Sequence, residues 1–202
     1  MHEIDKALEQ ISDIRSRIVV GTTFQGFGPA VVAMTGLSAI ALGIVQSSFP
    51  QVLVADPLVY LTCWLVLALC CTVMIGVEML ARSRRIHGGM ADAMLVQAVE
   101  QFLPAAAAGV MLGFVVFRFA PDLLWTLPGL WQMLVSMGVF AAARTLARGI
   151  VLVAAWYFVC ALVVFVLSVD QWQLSPWLMA VPFGIGQIAA AIVLKFSGDA
   201  RG

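Results

Sequence analysis

Charge is scarce in this 202-residue chain: Asp, Glu, Lys and Arg together make up 11% of it, where an ordinary soluble domain carries about 25%. Histidine is scarcer still. His2 and His87 are the only two, so no pair of imidazoles exists inside an apolar segment to hold haem, and neither an HExxH motif nor Cys/His zinc spacing occurs. No Ser–His pair falls within the apolar segments, which removes the usual route to an activated serine. A surplus of positive charge is also missing, because 11 Lys and Arg balance 11 Asp and Glu. That balance argues against nucleic acid as a partner. Cys63, Cys70, Cys71 and Cys160 all lie within apolar runs, and the adjacent pair Cys70 and Cys71 points to different helix faces rather than forming a CxxC redox motif. The expectation is a protein that is not an enzyme and has no resident cofactor or metal.

What the chain has instead is apolar surface, with 62% hydrophobic residues. Continuous apolar runs fall at about 27–48, 58–80, 103–120, 126–147, 149–169 and 177–196. Each is long enough to cross roughly 30 Å of hydrocarbon, the third only just. Unbroken runs rather than short alternating segments exclude a membrane β-barrel. The predicted class is therefore all-α and polytopic, with six transmembrane helices. Residues 1–20 form a separate polar segment, and 21–202 form the membrane domain.

The distribution of cations sets an orientation. Lys6, Arg15, Arg17, Arg82, Arg84, Arg85, Arg144, Arg148, Lys195 and Arg201 fall on one side, and Arg118 alone on the other. By the positive-inside rule both termini are cytoplasmic. Tyr60, Trp125, Trp172 and Trp177 then sit near the outer ends of spans, where amphipathic rings anchor helices in the interface. The first twenty residues carry seven charges and no continuous apolar core, so no cleavable signal is expected.

Two amphipathic helices are predicted outside the bilayer. Ile4, Leu8, Ile11, Ile14 and Ile18 recur at helical spacing over residues 2–19. That face suits either a helix lying on the membrane or a docking helix for a partner or second copy, with Ile11 and Ile14 at its centre. The second follows the basic stretch Arg82, Arg84 and Arg85 and the glycines Gly88 and Gly89, as an interfacial helix over residues 90–102. The three arginines are candidate contacts to lipid headgroups or to a partner, although topology alone accounts for basic residues there. Pro104 is expected to open the third span.

No charged group lies deep in a span. Glu78 is near an end, within reach of Arg82 four residues on. The polar residues left inside are uncharged: Gln187 in span six, Gln132 and Ser136 in span four, Thr35 and Ser38 in span one. Their bland role is interhelical hydrogen bonding. The sharper one is a pocket formed by Gln132, Ser136 and Gln187, beside a span loosened at Pro182, Gly184 and Gly186. Gly109 and Gly113 form a GxxxG motif that predicts close helix packing in span three. Pro128 and Gly129 are expected to make the turn between spans three and four. Gly184, Gly186 and Ala189 fit a dinucleotide fingerprint only superficially, because no strand precedes them. Spans two and five align through Trp64 and Trp156, and spans three and six through Arg118 and Lys195. An inverted repeat of three plus three spans is one reading of this, and chance similarity among apolar helices is the other.

QAVEQFLPAAAAG (97–109), RFAPDLLWTLPGLWQ (118–132) and SPWLMAVPFGIGQ (175–187) resemble a bacterial family of small six-span integral membrane proteins whose function is uncharacterised. The resemblance covers most of the chain and implies the same fold and a multi-pass protein of the bacterial inner membrane. It implies no reaction, ligand or catalytic residue. The leading functional expectation is a non-enzymatic membrane protein acting through lipid, a second copy of itself, or another membrane or cytoplasmic protein. The alternative is a small permease or carrier with its polar pocket near Gln187.

Overall fold

A computed structural model describes residues 28–87, 91–143, 149–169 and 174–199. Seven α-helices are present among them: α1 (Pro29–Ser48), α2 (Pro50–Leu53), α3 (Pro57–His87), α4 (Ala91–Phe119), α5 (Leu127–Ala142), α6 (Ile150–Val169) and α7 (Trp177–Asp199). A 3-10 turn, η1 (Pro121–Thr126), joins α4 to α5. The described residues contain no strand. The Ile11–Ile14 seam lies outside the described residues, and so do the side chains of Arg82, Arg84 and Arg85, whose backbone continues α3.

Proline sets the helix ends at one end of the bundle, here termed the upper end. A residue before proline is pushed out of the helical region, and Phe49 (φ −127°, ψ 55°) and Ala120 (φ −143°, ψ 59°) show it, ending α1 ahead of Pro50 and α4 ahead of Pro121. Asp56 and Pro57 start α3 by the opposite use of the same residue. The Leu58 amide donates to Asp56 Oδ1 at 2.8 Å, and Pro57 occupies the first turn, where its missing N–H costs nothing.

Five helices are long and apolar enough to cross a membrane: Pro29–Ser48, Pro57–Ala81, Pro121–Ala142, Ile150–Val169 and Trp177–Ser197. The apolar part of α4, Leu103–Phe119, is shorter. This is the architecture of a multi-pass membrane protein. It corrects the expectation of a separate interfacial helix ahead of the third span. Residues 91–119 form one helix with Pro104 inside it, and α3 runs on past its apolar part to His87. Proline within a helix frees one carbonyl, that of Glu100 here, and Glu100 is exposed, so polar surroundings can satisfy it.

Each long helix packs on the next in chain order, and α7 returns to α1, so α1, α3, α4, α5, α6 and α7 close into a ring. Two apolar clusters fill it. The upper one joins Ala39, Tyr60, Leu61, Trp64, Val116, Leu127, Met179 and Ala180. The lower one joins Val32, Ile150, Val153, Tyr157, Ala190 and Ala191. α3 contributes to the upper cluster only and is the least embedded span, 17% of its most apolar stretch being buried against 33–39% for the other four. Leu65, Val66, Leu69, Val73, Met74 and Val77 of α3 face outward, as lipid-facing side chains do.

Candidate functional site

Three polar side chains of α5 reach three different neighbouring helices. Trp131 Nε1 donates to the Gly109 carbonyl of α4 at 3.1 Å, Gln132 Nε2 to the Leu178 carbonyl of α7 at 2.7 Å, and Ser136 Oγ to the Ala154 carbonyl of α6 at 2.8 Å. Trp156 of α6 completes the set by donating to the Pro182 carbonyl of α7 at 3.0 Å. Gln132 and Ser136 are fully buried.

One of these bonds has a local cause. The Leu178 carbonyl would accept the amide four residues on, but residue 182 is proline and has no N–H. The Gln132 side chain supplies the missing donor. α7 is accordingly helical from Trp177 to Asp199, without the break expected at Pro182. Gly186 does not loosen the helix either: the Tyr157 ring lies against it, with the Tyr157 hydroxyl 2.6 Å from where a Cβ would stand.

Of the predicted pocket residues, Gln132 and Ser136 bond to α7 and α6, and Pro182 lies one turn beyond the Leu178 carbonyl that Gln132 reaches. Gln187 does not join them. It faces α1, with its Cβ 3.0 Å from where a Cβ on Gly36 would lie. α1 and α7 approach closely because both present glycine. A Cβ on Gly36 would come within 2.9 Å of the Gly184 carbonyl oxygen, one on Gly184 would lie 2.5 Å from Ile40 Cγ1, and one on Gly43 would collide with Ala180. By contrast, Cβ atoms on Gly109 and Gly113 would meet Trp131 or Leu134 no nearer than 3.5 Å. The GxxxG of α4 therefore accommodates an indole ring, and the close backbone contact lies in the α1–α7 seam instead.

Several further expectations are corrected. Pro128 and Gly129 do not make the turn between α4 and α5. They are buried in the first turn of α5, Gly129 against the Phe165 ring, and Pro121 starts the actual turn. Tyr60 is not an interfacial anchor. It is fully buried beside Trp64, ring centroids 6.4 Å apart, and its hydroxyl donates to the Ser175 carbonyl at 3.1 Å. The Glu78 carboxylate lies against Gly28 at the start of α1, where the free amides of a helix first turn favour negative charge. The Arg118 guanidinium sits over the Phe119 ring, 5.5 Å from its centroid.

Sequence reasoning passed over Gln46, which is fully buried near the upper end of α1. Its Nε2 lies 3.5 Å from the Tyr60 carbonyl, while its Oε1 finds no hydrogen-bond partner among the described residues. Gln132 Oε1 and Ser168 Oγ are likewise buried without a partner among the described residues. A glutamine closing an otherwise apolar run was the available signal.

Above the upper cluster lies an open cleft of about 540 Å³, between α2, the start of α3, η1 and the segment leading into α7. Pro50, Val54, Pro57, Leu124, Trp125 and Leu174 form most of its wall, and Asp122 is the one charged residue among the described residues that line it. None of the predicted pocket residues lines it. Among the described residues no group of three or more His, Cys, Asp or Glu side chains is placed to hold a metal ion.

The fold and this interior define a helical multi-pass bundle, and comparison goes no further: no protein-family model, curated protein or solved structure matches the chain.

Proposed function

We propose that the protein acts without catalysis, as a multi-pass protein of the bacterial inner membrane that works by association with lipid, a second copy or another protein. Both termini are cytoplasmic in this reading, which the cation distribution favours. The observation that carries it is the commitment of Gln132 and Ser136 to backbone carbonyls across helix interfaces. Donors so used hold a bundle together and are not free to bind a solute. In this reading association uses the seam through Ile11 and Ile14 and the basic stretch Arg82, Arg84 and Arg85, together with the outward face of α3.

Native mass spectrometry of the protein released gently from its own membrane tests this reading. A second chain should appear reproducibly, and replacing Ile11 and Ile14 with Asp should remove it. A bare monomer in both samples overturns the proposal.

A permease built on two inverted halves is the second reading. It is favoured by the ring itself, in which the first helix of each half lies against the last helix of the other, α1 on α7 and α5 on α4. The partnerless oxygens of Gln46 and Gln132 would then belong to a solute path. Uptake into proteoliposomes that fails with Gln132→Leu would establish it.

A further inference from the structure

The cleft at the upper end goes beyond association between chains. Its volume of about 540 Å³ lies within the roughly 300–1,000 Å³ typical of small-molecule sites. Three of its wall residues are prolines, Pro50, Pro57 and Pro121. Their fixed φ angles restrict the freedom of the rim and so lower the cost of ordering it around a ligand. Val54, Leu124 and Leu174 form the floor and pack on the upper cluster, so the floor too is supported from below.

The chemistry of the lining selects among ligands. Asp122 is exposed at the cleft and forms no ion pair among the described residues. Asp56 stands next to the lining residues Ala55 and Pro57. Arg118, the described cation at this end, is over Phe119 and outside the cleft. An anion would therefore meet net negative charge. A bare metal ion would find one carboxylate where such ions take several oxygen ligands, and a neutral acyl chain would gain nothing from Asp122. An organic cation uses every part of the lining: the carboxylate for its charge, the Trp125 ring for cation–π attraction, and the aliphatic wall for its carbon substituents.

We propose that this cleft binds an amphipathic organic cation of the alkyl- or arylammonium class, with Asp122 as its counter-ion and Trp125 beside it. Titration calorimetry of the full chain in detergent, with benzyltrimethylammonium as the probe, tests the site. Saturable one-to-one binding is expected, weakened about tenfold in Asp122→Asn. Asp56→Asn, which leaves the lining intact, should bind within about twofold of the parent. Ala55→Trp, which fills the cleft but keeps its charge, should abolish binding. Absence of saturable binding to the parent chain overturns the proposal. So does undiminished binding by Asp122→Asn, or equal competition by uncharged benzyl alcohol, which would mean that only the apolar wall is recognised.

Discussion

Two interfaces within one ring are held in opposite ways. In the α1–α7 seam the backbones meet through Gly36, Gly43 and Gly184, and contact is made by shape. Around α5 contact is made by hydrogen bonds, side chains of Trp131, Gln132 and Ser136 reaching carbonyls of α4, α7 and α6. Lipid explains why both occur. Apolar side chains gain little by leaving lipid for protein, so helices adhere through close packing or through hydrogen bonds that hydrocarbon cannot replace. The two devices should fail differently, one to added volume and the other to lost donors.

The largest effect should come from the seam. Gly184→Leu places a branched side chain on Ile40 and should destabilise the protein by about 3 kcal/mol or more, read as loss of the monodisperse peak in fluorescence-detected size exclusion after heating. Next is Gln132→Leu, expected to cost about 1–3 kcal/mol because the Leu178 carbonyl is left buried with no donor. Its cause can be isolated. Pro182→Ala returns an amide four residues after Leu178, so the double variant should recover most of the loss, and strictly additive melting shifts would refute the account. Ser136→Ala should cost only about 0.6 kcal/mol, since the Ala154 carbonyl keeps its place in the α6 ladder. The smallest shift is expected for Gly109→Ala, whose new Cβ would meet ordinary contacts at 3.6 Å and beyond. A near-unchanged melting temperature there, against a clear drop for Gly184→Ala, would confirm that the two glycine pairs do different work despite their similar look.

Much of this was legible beforehand, and the misses share a cause. Gln132 and Ser136 stood out because a polar group in an apolar run must find a partner. The partner itself was not readable, because the Leu178 carbonyl is needy only through Pro182, on another helix. Gly109 and Gly113 drew attention by their spacing and Gly184 as a loosening residue, while the seam of Gly36, Gly43 and Gly184 was not readable, since it depends on α1 and α7 lying side by side. Tyr60 shows the same dependence: near a span end its ring suits the membrane interface, yet the chain entering α7 covers it and supplies the Ser175 carbonyl. The candidate pocket divided for this reason, Gln187 turning to α1 while Gln132 and Ser136 met α7 and α6.

The amino-acid sequence by itself determined that this is an all-helical multi-pass chain and where most of its apolar helices begin and end. Those outcomes follow from local terms: the free energy of placing each run in hydrocarbon, and the effect of proline on its neighbour. The order of helices around the ring, the tight seam between the first and last, and the hub at α5 were decided only by tertiary structure. Runs of similar apolarity are interchangeable to lipid, and only complementary shape and matched donors and acceptors, each distant in the chain, can select one neighbour over another.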